Sequence, residues 1–342
     1  MRRIGITMIA LLVLALPAKS QYLLESESLH LATKAELLIY VNLLGLSDSI
    51  GEINGVEIFK ILYNTVDVFG DPTVASGAIY VPQVEAESLP MVSNQHGTVM
   101  DYRKVPSRRS EDLAGYFFGA NGYITVMADY LGLGENPGIH PYIHWESEAT
   151  ASIDMIRAAR EFLNDSLGIR DNNQLFLAGY SQGGHATMAL HKYIEVNELK
   201  DEFNVVASAP MSGPYSLSHA QIGMMLNEDS SYYKSEFFPY ILASYNLVYG
   251  NLFTEYDQYY DPPYDSIIAA WDASGIYFEN VTAGFLPDTY YDFMQDSVLD
   301  NIRENPNHPV NVALRKNDLH NWAPQEPVRM LYCGMDTMVS PQ

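Results

Sequence analysis

Beyond residue 55 the spacing of hydrophobic positions changes several times along the chain, and each change predicts a different element. VEIFKILYNTVD (56–67) and TVASGAIYVP (73–82) alternate or are rich in β-branched residues, and FGDP lies between them. That pattern predicts a β-hairpin. LPMVSNQ (89–95), YITVMADY (123–130), QLFLAGY (174–180) and NVVASAP (204–210) are instead short, nearly continuous apolar runs. The segments between them suit helices near 111–120, 146–166 and 183–196. Apolar strands alternating with helices predict a mostly parallel sheet covered on both faces, an α/β fold. Ahead of the hairpin, Leu29, Leu37, Leu38, Val41 and Leu44 recur at helical spacing and predict one further helix.

The alternation of strand and helix stops at Tyr215. From there to Asp300 the chain holds 13 of its 25 tyrosines, 6 of its 13 phenylalanines and the breaker Asp261-Pro-Pro. The strand pattern returns only at VRMLYCGM (328–335). Residues 215–300 are therefore expected to form a mainly helical cap, inserted before the last readable strand and lying over the carboxyl ends of the strands, where open α/β sheets bind ligands. Aromatic residues at helical spacing usually pack a core, and several here are expected to line a cleft as well. The expected organisation is core over 21–214, cap over 215–300 and return to an incomplete core over 301–342. No internal repeat or low-complexity segment interrupts it.

The first twenty residues, MRRIGITMIALLVLALPAKS, place Arg2 and Arg3 before a short apolar run and end with Ala18 and Ser20 at small-residue cleavage positions. They read as a secretory signal peptide, the run being shorter than the ~20 apolar residues that span a bilayer. The expected location is extracellular or periplasmic, with no stable membrane anchor. Losing Arg2, Arg3 and Lys19 with the leader takes the formal charge from −23 to about −26. Such a surface repels nucleic acid and anionic membranes and keeps an exported protein in solution. Cys333 is the only cysteine, so the chain forms no internal disulfide and no cysteine-based metal site. Asn164-Asp-Ser and Asn280-Val-Thr match the glycosylation sequon.

The candidate chemistry starts at Gly179-Tyr180-Ser181-Gln182-Gly183. Gly-x-Ser-x-Gly between a buried strand and a helix is a nucleophile elbow: Gly179 and Gly183 permit the sharp turn that lifts Ser181 above the sheet. A tetrahedral intermediate needs donors for its oxyanion. One is the backbone N–H of Gln182. The second belongs on the loop after an earlier strand, where Gly97 allows close approach and Thr98 presents its N–H. Asp336 follows the last readable strand in LYCGMDTMV, the place of a triad carboxylate in the chain order Ser, Asp, His.

QHGT (95–98), ADYLGLGENPGIHPYIH (128–144), AGYSQGGHA (178–186) and HNWAPQEPVRMLYCGMDTMV (320–339) together resemble the secretory lipase type of α/β-hydrolase, a family of exported lipases and esterases. The resemblance implies Ser181 as nucleophile, Asp336 as triad acid and hydrolysis of carboxylic esters, often acylglycerols, without cofactor or metal. It also implies that ADYLGLG borders the site, with Asp129 bracing loops rather than reacting.

The remaining requirement is a base. The family's histidine follows the acid, and no histidine follows Asp336 here. His185 lies one turn into the helix that carries Ser181 and is expected to be packed. His96 adjoins the oxyanion loop and is expected to orient it. His308 and His320 precede the acid's strand, against the chain order. His140 and His144 have metal-like spacing, but Pro141 and the Pro137-Gly138 loop deny them a helix. The expectation is a fragment whose catalytic histidine lies beyond Gln342. A peptidase or other acyl hydrolase on the same fold is the alternative, as is a noncatalytic binding protein if the chain ends at Gln342.

Overall fold

The computed structural model describes residues 21–45, 53–109, 112–136, 138–227, 234–274 and 286–341. The leader and the Asn280 sequon lie outside them. Seven strands form one sheet: β1 (Leu23–Ala32), β2 (Val56–Val66), β3 (Pro72–Pro82), β4 (Ser88–Gln95), β5 (Ile124–Ala128), β6 (Arg170–Tyr180) and β7 (Val205–Met211), in the order β1-β2-β3-β5-β4-β6-β7. The hairpin pairs in continuous register from Val56 opposite Pro82 to Val66 opposite Pro72. Its turn is closed by the Asp67 carboxylate, which accepts the N–H groups of Phe69 and Asp71. β5, β4, β6 and β7 run parallel.

Alternation along the strands divides the two faces. Ile79, Val81 and Val126 join the core beneath α3 (Trp145–Phe162) and α4 (Gln182–Val196). Ala78, Tyr80 and Met127 face α1 (Lys34–Leu43) and α2 (Leu113–Ala120). Both faces are covered, which is why the strands read as apolar runs rather than as alternating ones. At the amino end the structure differs from the pattern. Leu29 belongs to β1, antiparallel to β2, and the helix begins only after Thr33, whose side chain and that of Glu36 cap it reciprocally.

After β7 come α5 (Ile222–Met225), α6 (Phe237–Tyr249), α7 (Tyr264–Ser274), α8 (Asp296–Glu304) and α9 (Pro309–Lys316). They share one core with Tyr142 and Ile143 from the loop before α3. Tyr240, Tyr245, Tyr260, Phe238 and Phe293 are all fully buried there, so ordinary packing accounts for much of the aromatic content. The hydroxyl of Ser244 donates to Tyr142 O at 3.1 Å and that of Tyr245 to Ile143 O at 3.0 Å, fastening α6 to the sheet's upper loops.

The expected strand at 328–335 is reduced to two parallel bridges, Val328 with Ser208 and Leu331 with Met211. Leu331, Tyr332 and Met335 remain exposed. Among the described residues the segment pairs on one side only, with β7.

Candidate active site

Ser181 sits between β6 and α4 at φ 60° and ψ −123°, a strained conformation for a residue with a side chain. Small neighbours make the turn possible. A Cβ on Gly183 would lie 1.9 Å from Gln95 O, and one on Gly179 2.3 Å from Gly183 O. Backbone closes the turn: Ser181 donates its N–H to Met211 O at 2.9 Å, and Gly184 donates to Ser181 O at 2.8 Å.

The Ser181 hydroxyl has no hydrogen-bond partner among the described residues and borders a cavity of about 370 Å³. His96, Gly97 and Thr98 form one wall, and a Cβ on Gly97 would stand 3.7 Å from that of Ser181. The N–H of Gln182 is the first of α4 and has no intrahelical acceptor. That of Thr98 likewise meets no acceptor among the described residues, while its hydroxyl is 2.9 Å from the Tyr142 hydroxyl. Two unspent donors therefore flank the serine. Val99, Met100, Phe237 and Met338 add apolar surface.

Beneath the elbow is a buried polar network that the sequence reading missed. The Gln182 amide donates to His140 Nε2 at 2.8 Å and to Glu148 Oε1 at 3.0 Å. His185 Nδ1 meets Glu148 Oε2 at 2.7 Å, and its Nε2 meets Asn317 O at 3.1 Å. Burial pushes His140 down to about 3, so the ring is neutral at neutral pH and Nε2 accepts from the amide. Glu148 holds the start of α4 in place. The available signal was a carboxylate in register with Ala151, Ser152 and Met155, on the apolar face of α3. His185 is packed, as expected.

His96 fastens the loop that carries Gly97 and Thr98. Its Nδ1 is 2.8 Å from Gly97 O and its Nε2 3.2 Å from Asp129 O. Asp129 is wholly buried and braces loops, as expected: it accepts from Ser107 N at 2.9 Å and from the Ser76 hydroxyl. Burial raises its carboxyl above the usual range. His140 and His144 belong to packing, and burial pushes His144 down to about 4.

Asp336 lies past the bridged segment. Its Oδ1 accepts Met338 N at 2.9 Å and Val339 N at 3.0 Å, closing a turn that brings Met338 to the cavity; the Asp336 carboxylate itself does not line it. The rows are in step, because Ser181 donates to Met211 O and Ser212 to Leu331 O. Two strand spacings, ~10 Å, therefore separate the elbow from the segment leading to Asp336. All nine histidines are described, and only His96 lines the cavity, its two ring nitrogens facing the carbonyls of Gly97 and Asp129, to one of which a neutral ring donates.

The sheet order, the elbow and the helical segment above it are those of the α/β-hydrolase fold. Residues 112–194 match the Secretory lipase family model. Among solved structures, the rice cell wall degrading esterase LipA from Xanthomonas oryzae is 28% identical, with a TM-score of 0.83 over 93% of this chain and 84% of that one. A ligand-bound form of LipA is 29% identical at a TM-score of 0.84, with the same coverage. Candida antarctica lipase A is similar in fold, at 15% identity and a TM-score of 0.67 over 94% of this chain and 71% of that one. No curated protein sequence matches the chain. The protein is a hydrolase. No helix among the described residues is long and apolar enough to cross a membrane.

Proposed function

We propose that the protein is an exported serine hydrolase that cleaves carboxylic esters through an acyl-enzyme on Ser181. The observation that carries this reading is the strained serine whose unpartnered hydroxyl stands beside two unspent backbone N–H groups. Ser181 Oγ attacks the ester carbonyl carbon as a histidine takes its proton. The oxyanion is bound by the N–H groups of Gln182 and Thr98. The tetrahedral intermediate collapses with loss of the alcohol, which receives that proton, and water attacks the acyl-enzyme by the same route. Asp336 orients the histidine. We take the base to be a further histidine, because His96, the one histidine at the cavity, turns its ring nitrogens to the carbonyls of Gly97 and Asp129 and neither to Ser181. The apolar wall of Val99, Met100, Phe237 and Met338 suits the acyl part of a small-molecule or lipid ester. Export rests on the leader-like first twenty residues and on the secretory family match.

The test compares p-nitrophenyl butyrate hydrolysis by this chain with that by a chain extended through the next encoded histidine. The extended protein is expected to be far faster, because losing one triad member removes most of the nucleophile's activation while leaving roughly 10³ to 10⁴ over water. Mass spectrometry should find the trapped acyl group on the Ser181 peptide. Equal rates from the two chains, or an acyl group elsewhere, would overturn the mechanism.

A further inference from the structure

A second cluster lies away from the serine cavity, where the chain leaves the sheet for the helices and where it returns. His219 belongs to the turn 217–221, five residues beyond the end of β7, and Asp318 and His320 belong to the loop after α9. One ligand atom from each lies within 4.8 Å of the other two. The set does not resemble a chance meeting of surface charges. Asp318 is buried, and its carboxylate is aimed by Ser218, whose N–H donates to Oδ1 at 3.0 Å and whose hydroxyl donates to Oδ2 at 2.6 Å. His320 Nδ1 is 3.3 Å from Tyr215 O, and a carbonyl there requires the proton on Nδ1 and leaves the Nε2 lone pair outward. His219 Nδ1 is 2.8 Å from the Ser218 hydroxyl. Ser218 gives its own proton to Asp318, so it accepts from His219, and that ring too keeps Nε2 for another partner. Fixing imidazole tautomers through the other nitrogen is how proteins orient metal-binding histidines.

We propose that His219, Asp318 and His320 bind a zinc ion that joins the outgoing and returning connections of the helical segment. Two imidazoles and one carboxylate suit Zn²⁺ at bond lengths of ~2.0–2.2 Å, with water in the fourth tetrahedral position. Calcium, which takes six to eight oxygen ligands, is poorly served by this set. Both histidines are exposed and can close on the ion by side-chain rotation, while Asp318 is already held. The consequence reaches the catalytic edge. Gln221, two residues from His219, donates its amide to Met338 O at 2.9 Å and accepts Ser340 N at 3.0 Å, clamping the turn that follows Asp336. An ion at His219 steadies that clamp.

The test titrates the metal-stripped chain with Zn²⁺ by calorimetry and with Co²⁺ by visible absorption, and follows thermal unfolding with and without Zn²⁺. One Zn²⁺ per chain, the strong visible bands of tetrahedral Co²⁺ and a higher unfolding midpoint with metal are expected. His219→Ala and His320→Ala, both on exposed side chains, are expected to weaken binding by at least the roughly 10- to 100-fold that loss of an outer partner costs at such sites. His30→Ala, on β1, should leave binding unchanged. Absence of stoichiometric binding, binding indifferent to His219→Ala and His320→Ala, or a midpoint unmoved by bound zinc would overturn the proposal. None of these readouts depends on catalysis, so they stand or fall apart from the serine mechanism.

Discussion

The sheet with its flanking helices and the helical segment above it both bury aromatic side chains, yet they are held to shape by different means. Around the elbow, backbone touches backbone: Gly183 faces Gln95 O, and Gly184 faces Met211 O so closely that a Cβ there would stand 2.4 Å away. In the helical segment Gly223 and Gly250 have nothing within 4 Å of a would-be Cβ. Shape there comes from interdigitated Tyr, Phe and Leu side chains whose volume can be redistributed. Close backbone packing leaves one acceptable residue at a position. Side-chain packing leaves many, and this difference separates the part built for fixed geometry from the part built to meet a substrate.

The largest expected effect tests whether the fixed geometry serves the chemistry. Ser181→Ala, in the protein carrying its base, should lower kcat/KM for p-nitrophenyl butyrate by on the order of 10⁴ to 10⁶ with an unchanged circular dichroism spectrum. Retained activity would mean that the strained turn serves some other purpose.

Next comes the contrast between glycines. Gly183→Ala forces a methyl group against a backbone carbonyl that cannot rotate away, and should cost about 3 kcal/mol or more in urea unfolding. Gly223→Ala, in α5 with open space around it, should stabilise by roughly 0.4–1 kcal/mol. Similar values for the two would erase the distinction.

The same contrast explains what could be read from sequence. The hairpin was legible because β2 alternates buried with half-buried positions and FGDP marks its turn, and β4, β5, β6 and β7 because burial on both faces makes them apolar runs. The elbow was legible because Gly179, Ser181 and Gly183 admit no substitutes. β1 was not, since Leu29 fits helical spacing while its neighbours Glu25, Ser26, Glu27 and Ser28 give an edge strand little apolar signal. The Glu148 network escaped because its partners, His140, Gln182, His185 and Asn317, are joined only by the fold. His219 meets Asp318 and His320 for the same reason, across nearly a hundred residues of chain. Packing inside the helical segment left composition but no register.

A buried carboxyl in the helical segment offers a further test. Asp272 is pushed up to about 6, first by burial, and takes a hydrogen bond from the Tyr256 hydroxyl, while its Oδ1 has no partner among the described residues. The sign follows from proton binding. Between the ordinary value of 3.8 and about 6, the folded chain holds a proton that the unfolded chain has lost. The burial cost is therefore complete above pH 6 and disappears as pH falls toward 4. Asp272→Asn should stabilise at pH 7.5, on the order of 1–2 kcal/mol, and lose that advantage at pH 4.5. An equal advantage at both pH values in urea melts would show that burial of the charge is not the cause.

The smallest effect bears on how the helical segment meets substrate. Phe237, at the start of α6, is its only side chain at the serine cavity among the described residues, set across from Tyr142 with ring centroids 6.3 Å apart. Its neighbours Phe238 and Tyr240 face inward and are fully buried, so truncating Phe237 removes wall surface while the packing behind it stays. An acyl chain long enough to reach that wall loses apolar contact worth about 1 kcal/mol, and KM should rise roughly fivefold with kcat little changed, the mark of binding shared by ground and transition states. An acetyl group is too short to reach it. Phe237→Ala should accordingly separate p-nitrophenyl octanoate from p-nitrophenyl acetate. The same rise for both esters would mean that Phe237 shapes the serine's surroundings rather than touching the acyl chain, and the segment would then belong with the rigid part of the molecule.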